Sequence, residues 1–242
     1  MTESPQLIEV SVVAAPFVVW PALRNPSLIR RWYSWNHEGL EDEIRQIFLD
    51  GVTSEDADAR ILHLASGDRF SLHEHEGTTL VRINRAPRGS DPVAADRYDD
   101  ITQAWATFLQ FLKFGIEWHG LADRRTMLLR GSVAEDSSAR QLLGLDEIAD
   151  MKTGDRFRIV ASTGDLLSGV VFFDNDHQTV VTVEDLGPGL LAFGEQRACP
   201  TRPGSGVQIL LGAYGLDDEE WAELEERWAG WWADQLSTDS VT

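Results

Sequence analysis

Histidine and carboxylate side chains form the one pattern in this chain that resembles a metal site. His73 and His75 lie two residues apart in a β-like segment, so they share a face, with Glu74 between them. His63 joins that face if the two neighbouring strands pair through a short loop, and three imidazoles could hold zinc. The opposite face carries leucine and phenylalanine, so we expect the histidines to face solvent. The sequence therefore predicts no resident metal.

Three further segments contain residue types that are used in catalysis or cofactor binding. GPGLLAFG (187–194) holds two glycines of a dinucleotide fingerprint, but a strand-like run follows where a helix would have to bind pyrophosphate. Cys199 is the only cysteine and lies beside Pro200, in a loop that offers a thiolate no base. The carboxylates from Asp217 to Glu220 fit a helix N-terminus. We expect no catalytic residue among these motifs and no cofactor.

The charge balance limits the classes of partner. The net charge is −19, from 21 basic and 40 acidic residues, and such a surface repels phosphate backbones and anionic lipid. The apolar run SVVAAPFVVW (11–20) is too short to span a bilayer and is broken by Pro16. We therefore expect no nucleic-acid partner, no membrane association and a cytoplasmic location.

One pattern occurs twice: an apolar strand, a short acidic loop and a long tryptophan-containing helix. The first copy joins TTLVRINRA (78–86) to DDITQAWATFLQFLKFGIEWH (99–119), and the second joins SGVQILLGAYG (205–215) to LDDEEWAELEERWAGWWADQL (216–236). Each copy is typical of the end of a folding unit. The 242 residues therefore predict two α+β units, 1–122 and 123–242, each with its own core.

Between Glu43 and Arg85 the sequence favours four strands, namely 43–51, 61–65, 68–76 and 78–85. A three-residue loop, Ser66 to Asp68, would set Leu64 opposite Phe70 and Leu62 opposite Leu72. This register puts all four apolar side chains on one face.

Both long helices show an apolar stripe. Acidic Asp99 and Asp100 are expected to begin the first helix, with a stripe formed by Ile101, Trp105, Phe108, Leu112 and Ile116. The second stripe is formed by Trp221, Leu224, Trp228 and Trp231. A plain hydrophobic core would show the same stripes. If a cavity exists, we expect it to be lined by Trp32, Leu62, Leu64, Phe70, Leu72, Trp105, Phe108 and Leu112.

Ala15-Pro16 followed by VWPALRNPSLIRRWYSW (19–35), and later ITQAWATFLQFLKFGIEWH (101–119), resemble the START-like (SRPBCC) superfamily. The resemblance is to the branch that contains activators of the heat-shock-protein-90 ATPase. It covers about half of the chain, and the second half is similar mainly in its closing strand and helix. The resemblance implies a helix-grip fold, in which a curved antiparallel sheet wraps around the long C-terminal helix over an apolar cavity, here in tandem.

Three functions from different classes follow from these observations. The first is a non-enzymatic protein that binds a hydrophobic small molecule in the cavity. The second is a protein-interaction module resembling a co-chaperone, which would use the acidic surface to bind a protein partner. The third is an enzyme resembling polyketide aromatase/cyclases, for which the sequence offers no convincing set of polar cavity residues.

Overall fold

The computed structural model describes residues 6–89, 91–132, 137–196 and 206–238. It divides the chain into two compact units, Met1–Asp123 and Arg124–Thr242. Each unit contains one antiparallel sheet and ends in a long helix. The predicted α+β class, with an antiparallel sheet and a C-terminal helix in each half, is therefore confirmed.

The first unit contains five strands and four helices within the described residues. In chain order they are β1 (Leu7–Val12), α1 (Pro16–Arg24), α2 (Pro26–Ile29), α3 (Leu40–Phe48), β2 (Val52–Asp56), β3 (Ile61–Leu64), β4 (Arg69–His75), β5 (Thr78–Asn84) and α4 (Pro92–His119). The strand order in the sheet is β1-β5-β4-β3-β2. The first strand thus pairs with the last, with Leu7 opposite Asn84, and α4 packs against β1.

The segment predicted as a strand over 43–51 is helical, so that prediction was wrong. Leu40, Ile44 and Phe48 are buried at four-residue spacing, which is the period of a helix and not of a strand. Three acidic residues, Glu41 to Glu43, occupy the first turn, where they complement the helix dipole.

The β3–β4 hairpin has the predicted face but not the predicted register. Leu62 lies opposite Phe70, and Leu64 donates its N–H to the carbonyl of Asp68. The loop is therefore Ala65, Ser66 and Gly67, and Gly67 has the positive φ of 86° that the turn requires. The pairing is shifted by two residues from the predicted one, and an even shift leaves the leucines on the buried face.

Helix α4 begins seven residues before the predicted acidic start. The Asp91 side chain caps it by accepting the Ala94 N–H at 2.8 Å, and Gly120 ends it in the left-handed conformation with φ of 55°. Trp105, Phe108 and Leu112 are buried as predicted. The predicted stripe fails at its ends, because Ile101 is exposed and Ile116 is only half-buried.

A buried ion pair joins the β3–β4 loop to β5 and α4. Arg85 donates to Asp68 at 3.1 Å, and their side chains are 5% and 4% exposed. The other end of the guanidinium donates to Thr102 of α4 at 2.9 Å and lies over the ring of Tyr98, 4.4 Å from its centroid. Asp68 also accepts the Ala86 N–H at 2.8 Å. Several hydrogen bonds thus compensate both charges for the water they lose.

The second unit has six strands and two α-helices within the described residues. They are β6 (Arg125–Ser132), α5 (Ala139–Leu143), β7 (Arg156–Val160), β8 (Leu166–Asn175), β9 (Gln178–Val183), β10 (Gly189–Gln196), β11 (Gly206–Ala213) and α6 (Asp218–Thr238), with a short 3₁₀ turn at Asp146–Ile148. The sheet order is β6-β11-β10-β9-β8-β7. As in the first unit, the first strand of this unit pairs with its last, and Arg125 lies opposite Ala213.

Helix α6 closes the second core with tryptophan. Trp221, Leu224, Trp228 and Trp232 are buried, whereas the predicted Trp231 is only half-buried. Asp165, between β7 and β8, accepts hydrogen bonds from the Trp228 indole at 2.8 Å and from Arg227 at 2.7 Å. Asp165 thus links the polar edge of α6 to the sheet, and the apolar face of the same helix covers that sheet.

We predict that Trp105→Ala lowers the free energy of unfolding of the first unit by about 3–5 kcal/mol, because truncating a buried aromatic side chain leaves a cavity. Urea unfolding measures the change. Phe17→Ala is the matched control, since Phe17 is 74% exposed and should change stability by no more than about 0.5 kcal/mol. Equal effects of the two substitutions would show that the buried face of α4 is wrongly assigned.

Asp68→Ala should also destabilise the first unit by about 3–5 kcal/mol, because it leaves the Arg85 charge buried without its partner. The control is Asp50→Ala, which removes the exposed Arg45–Asp50 pair and should cost less than about 1 kcal/mol. Thermal and urea unfolding of both variants provide the test. A loss below about 1 kcal/mol for Asp68→Ala would contradict a structural role for the pair.

Candidate functional site

The eight residues predicted to line a cavity are all buried in the first unit. They come from four elements: Trp32 follows α2, Leu62 and Leu64 lie on β3, Phe70 and Leu72 on β4, and Trp105, Phe108 and Leu112 on α4. Two contacts between them are direct, since the ring of Trp105 lies 5.2 Å from that of Phe70 and 6.3 Å from that of Phe108.

Two further aromatic residues, neither of them among the predicted cavity residues, complete this group. Tyr33 and Phe48 join Trp32, Phe70, Trp105 and Phe108 in what we call the aromatic cluster. Neighbouring ring centroids are 5.0–6.3 Å apart, and most pairs meet edge to face. This geometry is the favourable one for the ring quadrupoles. The rings of Tyr33, Phe48, Phe70 and Phe108 all contact that of Trp105, which is therefore the centre of the cluster.

A polar array borders the cluster. The Tyr33 hydroxyl donates to one carboxylate oxygen of Glu43 at 2.7 Å, and the Nε2 atom of His37 lies 3.1 Å from the other. Tyr33 is 4% exposed, whereas the side chains of His37 and Glu43 are 30% and 37% exposed. A phenol, a carboxylate and an imidazole thus lead from the aromatic interior to solvent, and we call them the rim array.

The backbone beside Tyr33 is in an unusual conformation. Ser34 is buried and has a φ of 55°, in the left-handed region that non-glycine residues rarely adopt. Such a conformation costs on the order of 1 kcal/mol, and the surrounding structure must compensate for it. It turns the chain between Tyr33, which belongs to the cluster, and Trp35, whose ring lies 5.4 Å from that of His37.

Burial controls the protonation of the phenol in the rim array. Loss of hydration raises the pKa of Tyr33 far above its ordinary value of 10.0, and the adjacent Glu43 carboxylate raises that pKa further by charge repulsion and by accepting the hydroxyl hydrogen. Tyr33 therefore acts as a hydrogen-bond donor to Glu43 over the physiological pH range.

The three histidines considered for zinc are exposed, as expected for the face opposite the leucines. The shift in register changes only their neighbours, so that His63 lies opposite Arg69 and Ser71 lies opposite Ile61. The Ser71 hydroxyl and the Nε2 atom of His73 are 3.0 Å apart. Within the described residues, no three or more His, Cys, Asp or Glu side chains are grouped so that they could hold a metal ion. Cys199 lies outside those residues.

The second unit contains a polar cleft of about 260 Å³ between α5 and the β8–β9 turn. Its lining includes Arg140, Asp174, Asp176, His177, Thr179 and Glu195. Two of the carboxylates already have structural partners. Glu195 accepts the Ala139 N–H at the start of α5 at 2.8 Å, and Asp174 accepts the Thr179 hydroxyl at 2.6 Å. None of the predicted cavity residues lies in this cleft.

No helix within the described ranges has both the length and the hydropathy that crossing a membrane would require.

Comparisons with known proteins find similarity only among solved structures. No family model matches the chain, and no curated protein matches it. The di-domain ARO/CYC BexL from the BE-7585A biosynthetic pathway is 14% identical, over 98% of this chain and 95% of its own, with a TM-score of 0.36. DynU16, from the dynemicin biosynthetic locus, is 15% identical over 97% of both chains, with a TM-score of 0.34. MLL2253 from Mesorhizobium loti is 18% identical over 49% of this chain and 99% of its own, with a TM-score of 0.34.

All three tyrosines of the chain should ionise late. Burial raises the pKa of Tyr33, Tyr98 and Tyr214 above the ordinary value of 10.0. The folded state thus holds these protons more tightly than the unfolded state, so the associated stability is complete below pH 10 and is lost as the pH rises through the raised values. Tyrosinate absorbance of the native protein should appear at higher pH than that of the urea-unfolded protein, together with the loss of near-ultraviolet circular dichroism.

The variant Tyr33→Phe should reduce the amplitude of this late ionisation. Coincident titration curves for the native and unfolded protein would contradict the burial of these phenols.

Proposed function

We propose that the first unit binds a flat, hydrophobic small molecule at the aromatic cluster, under α4. The observation that carries this proposal is the set of six rings between the sheet and the helix, each in contact with at least two others. Three helices and β4 contribute these rings directly or through the residues that follow them. An apolar aromatic guest can replace these ring contacts by equivalent ones, since edge-to-face and offset-stacked pairs are similar in energy.

The position of the cluster also supports binding. Trp105 and Phe108 belong to the long closing helix, and Phe70 belongs to the sheet, so a guest among them would be enclosed on two sides. Leu62, Leu72 and Leu112 are buried on the same elements and supply only apolar surface. A site of this composition retains hydrophobic ligands mainly through the area that it removes from water.

A second candidate function is an aromatase/cyclase-like reaction, and the rim array is the observation that favours it. Ring closure of a polyketone requires that a proton leave a carbon next to a carbonyl and that a proton reach the oxygen of the attacked carbonyl. The Glu43 carboxylate is able to accept a proton, and Tyr33 and His37 are groups that can donate one. The name of BexL agrees with this candidate.

The protein-interaction alternative is supported by the acidic composition alone and stays a prediction. The heat-shock-ATPase-activator branch, a cytoplasmic location and the absence of nucleic-acid, membrane and cofactor binding also stay predictions.

The neutral apolar dye Nile red should bind the full chain with a Kd in the micromolar range, about −8 kcal/mol. Leu112→Trp, which adds volume to the buried face of α4, should raise the Kd by about tenfold or more. Ile101→Trp is the control, because Ile101 is on the same helix but exposed, and it should leave the Kd unchanged. Fluorescence titration measures all three.

Absence of dye binding to the folded wild-type chain would overturn the binding proposal. Equal Kd changes in the two variants would place the dye elsewhere. The second candidate moves to first place if the chain converts an aryl polyketone and Glu43→Gln abolishes that conversion while dye binding is retained.

A further inference from the structure

The two sheets have four edge strands, namely β1 and β2 in the first unit and β6 and β7 in the second. An edge strand presents unpaired peptide groups to which another chain can bind. At the edge of β1, helix α4 supplies the missing partners. Its Lys113 side chain donates to the Ser11 carbonyl at 2.8 Å, and its Glu117 carboxylate accepts the Val13 N–H at 2.6 Å.

Two further edges also carry features that hinder pairing with another chain. The register of β2 shifts between Val52 and Ser54, and such an irregularity bends an edge strand. Glu55 of the same strand is held by Arg24 at 2.9 Å. In the second unit, the closing helix α6 packs against β6.

The fourth edge is β7, and the hydrogen bonds at its two ends show which of its peptide groups face outward. The Val171 N–H donates to the Asp155 carbonyl just before the strand, and the Ala161 N–H donates to the Asp165 carbonyl just after it, at 3.0 and 2.8 Å. The β7–β8 register between them is regular. Because bonds to one neighbour alternate along an antiparallel strand, the odd-numbered residues of β7 face β8. The even-numbered residues point their N–H and C=O groups away from the sheet.

These outward residues are Arg156, Arg158 and Val160. All three side chains are exposed, and the side chains between them pack toward the core. Over the ranges that the structure describes, neither arginine side chain has a hydrogen-bond or ion-pair partner. The edge thus offers three peptide groups and two arginine charges on one face.

The charge of β7 is opposite to that of the chain as a whole. The strand contains two arginines and no acidic residue, whereas the whole chain carries −19. Two carboxylates are near in sequence or register, but each already accepts a hydrogen bond. Asp155 accepts the Lys152 N–H at 2.8 Å, and Asp185 accepts the hydroxyl of Ser168, which lies opposite Arg158.

The same arginines decide between two kinds of partner. If β7 paired with β7 of a second copy over its full length, arginines would face arginines on one side of the new sheet, which is destabilising. A strand with carboxylates at these positions would instead gain ion pairs. The edge charges therefore oppose self-association and favour an acidic partner.

We propose that β7 binds an extended acidic segment of another protein, which adds a strand to the second sheet. Peptide hydrogen bonds hold such a strand, and its side chains determine specificity. Side chains two residues apart share a face, so two carboxylates with one residue between them lie opposite Arg156 and Arg158. This surface belongs to the second unit and is independent of ligand binding in the first.

Three fluorescein-labelled peptides test the proposal on the full chain: TVEVEVT, TVKVKVT, and TVEVEVT methylated on both glutamate backbone nitrogens. The first should bind with a Kd on the order of 10–100 µM. The lysine peptide should bind at least about tenfold more weakly, because like charges then lie opposite each other. The methylated peptide should also bind at least about tenfold more weakly, because it keeps the charge but loses two hydrogen-bond donors. Fluorescence anisotropy measures the three Kd values.

Variants then locate the binding site. The double variant Arg156→Gln, Arg158→Gln should raise the Kd of TVEVEVT about fivefold or more, the effect of two exposed ion pairs. The matched control is Arg69→Gln, Arg97→Gln, which removes the same charge from the central strand β4 and from α4, where both arginines are exposed. It should leave the Kd within about twofold of wild type. Equal unfolding midpoints verify that both variants fold.

Several results would overturn the proposal. These are absence of TVEVEVT binding, equal binding of the lysine or methylated peptide, and equal effects of the two double variants. Equal binding of the methylated peptide would show that charge alone attracts it, without strand addition. Sedimentation of the chain alone tests the other occupant. Self-association that Arg156→Gln, Arg158→Gln abolishes would assign the edge to a second copy and would also overturn the proposal.

Discussion

The first unit depends on one buried charge pair. The hydrogen bonds of Arg85 and Asp68 fix the β3–β4 loop, the end of β5 and the N-terminal half of α4 to one another. Phe70 follows Asp68 by two residues and Trp105 follows Thr102 by three, so the pair anchors the chain beside both rings of the aromatic cluster. Hydrophobic burial supplies most of the stability but little direction. The directional contacts of the guanidinium specify where the apolar surfaces meet.

The aromatic cluster and the rim array adjoin each other, so a group of buried rings borders a polar edge that contains a carboxylate and an imidazole. Neither part would by itself specify the proposed ligand, because rings accept many apolar guests and an exposed carboxylate is surrounded by water. Tyr33 joins the two, since it contributes a ring to the first and a hydroxyl to the second. The unusual backbone at Ser34 lies directly after it.

The sequence predicted those features that depend on periodicity within one element. The alternating pattern of β3 and β4 identified Leu62, Leu64, Phe70 and Leu72 as buried. A shift of two residues in the pairing leaves this alternation unchanged, so the sequence could not distinguish between the two registers. Helix α3 was mistaken for a strand because its period becomes visible only when Leu40 is included. The rim array could not be predicted from the sequence. His37 precedes the start of α3 and Glu43 lies six residues later, inside that helix. Only the folded chain brings Glu43 to Tyr33.

The pairing of first and last strands has a consequence for synthesis on the ribosome. Strand β1 cannot find its partner until β5 has been made, and β6 must wait for β11, about 70 and about 80 residues later respectively. Each unit therefore emerges with an incomplete sheet, whose mostly aliphatic face lacks the long closing helix until the end of the unit is made. Such long-range pairing slows folding and prolongs the exposure of surfaces that aggregate. The first unit can complete its own pairing before the second is translated, so only one open sheet at a time needs protection.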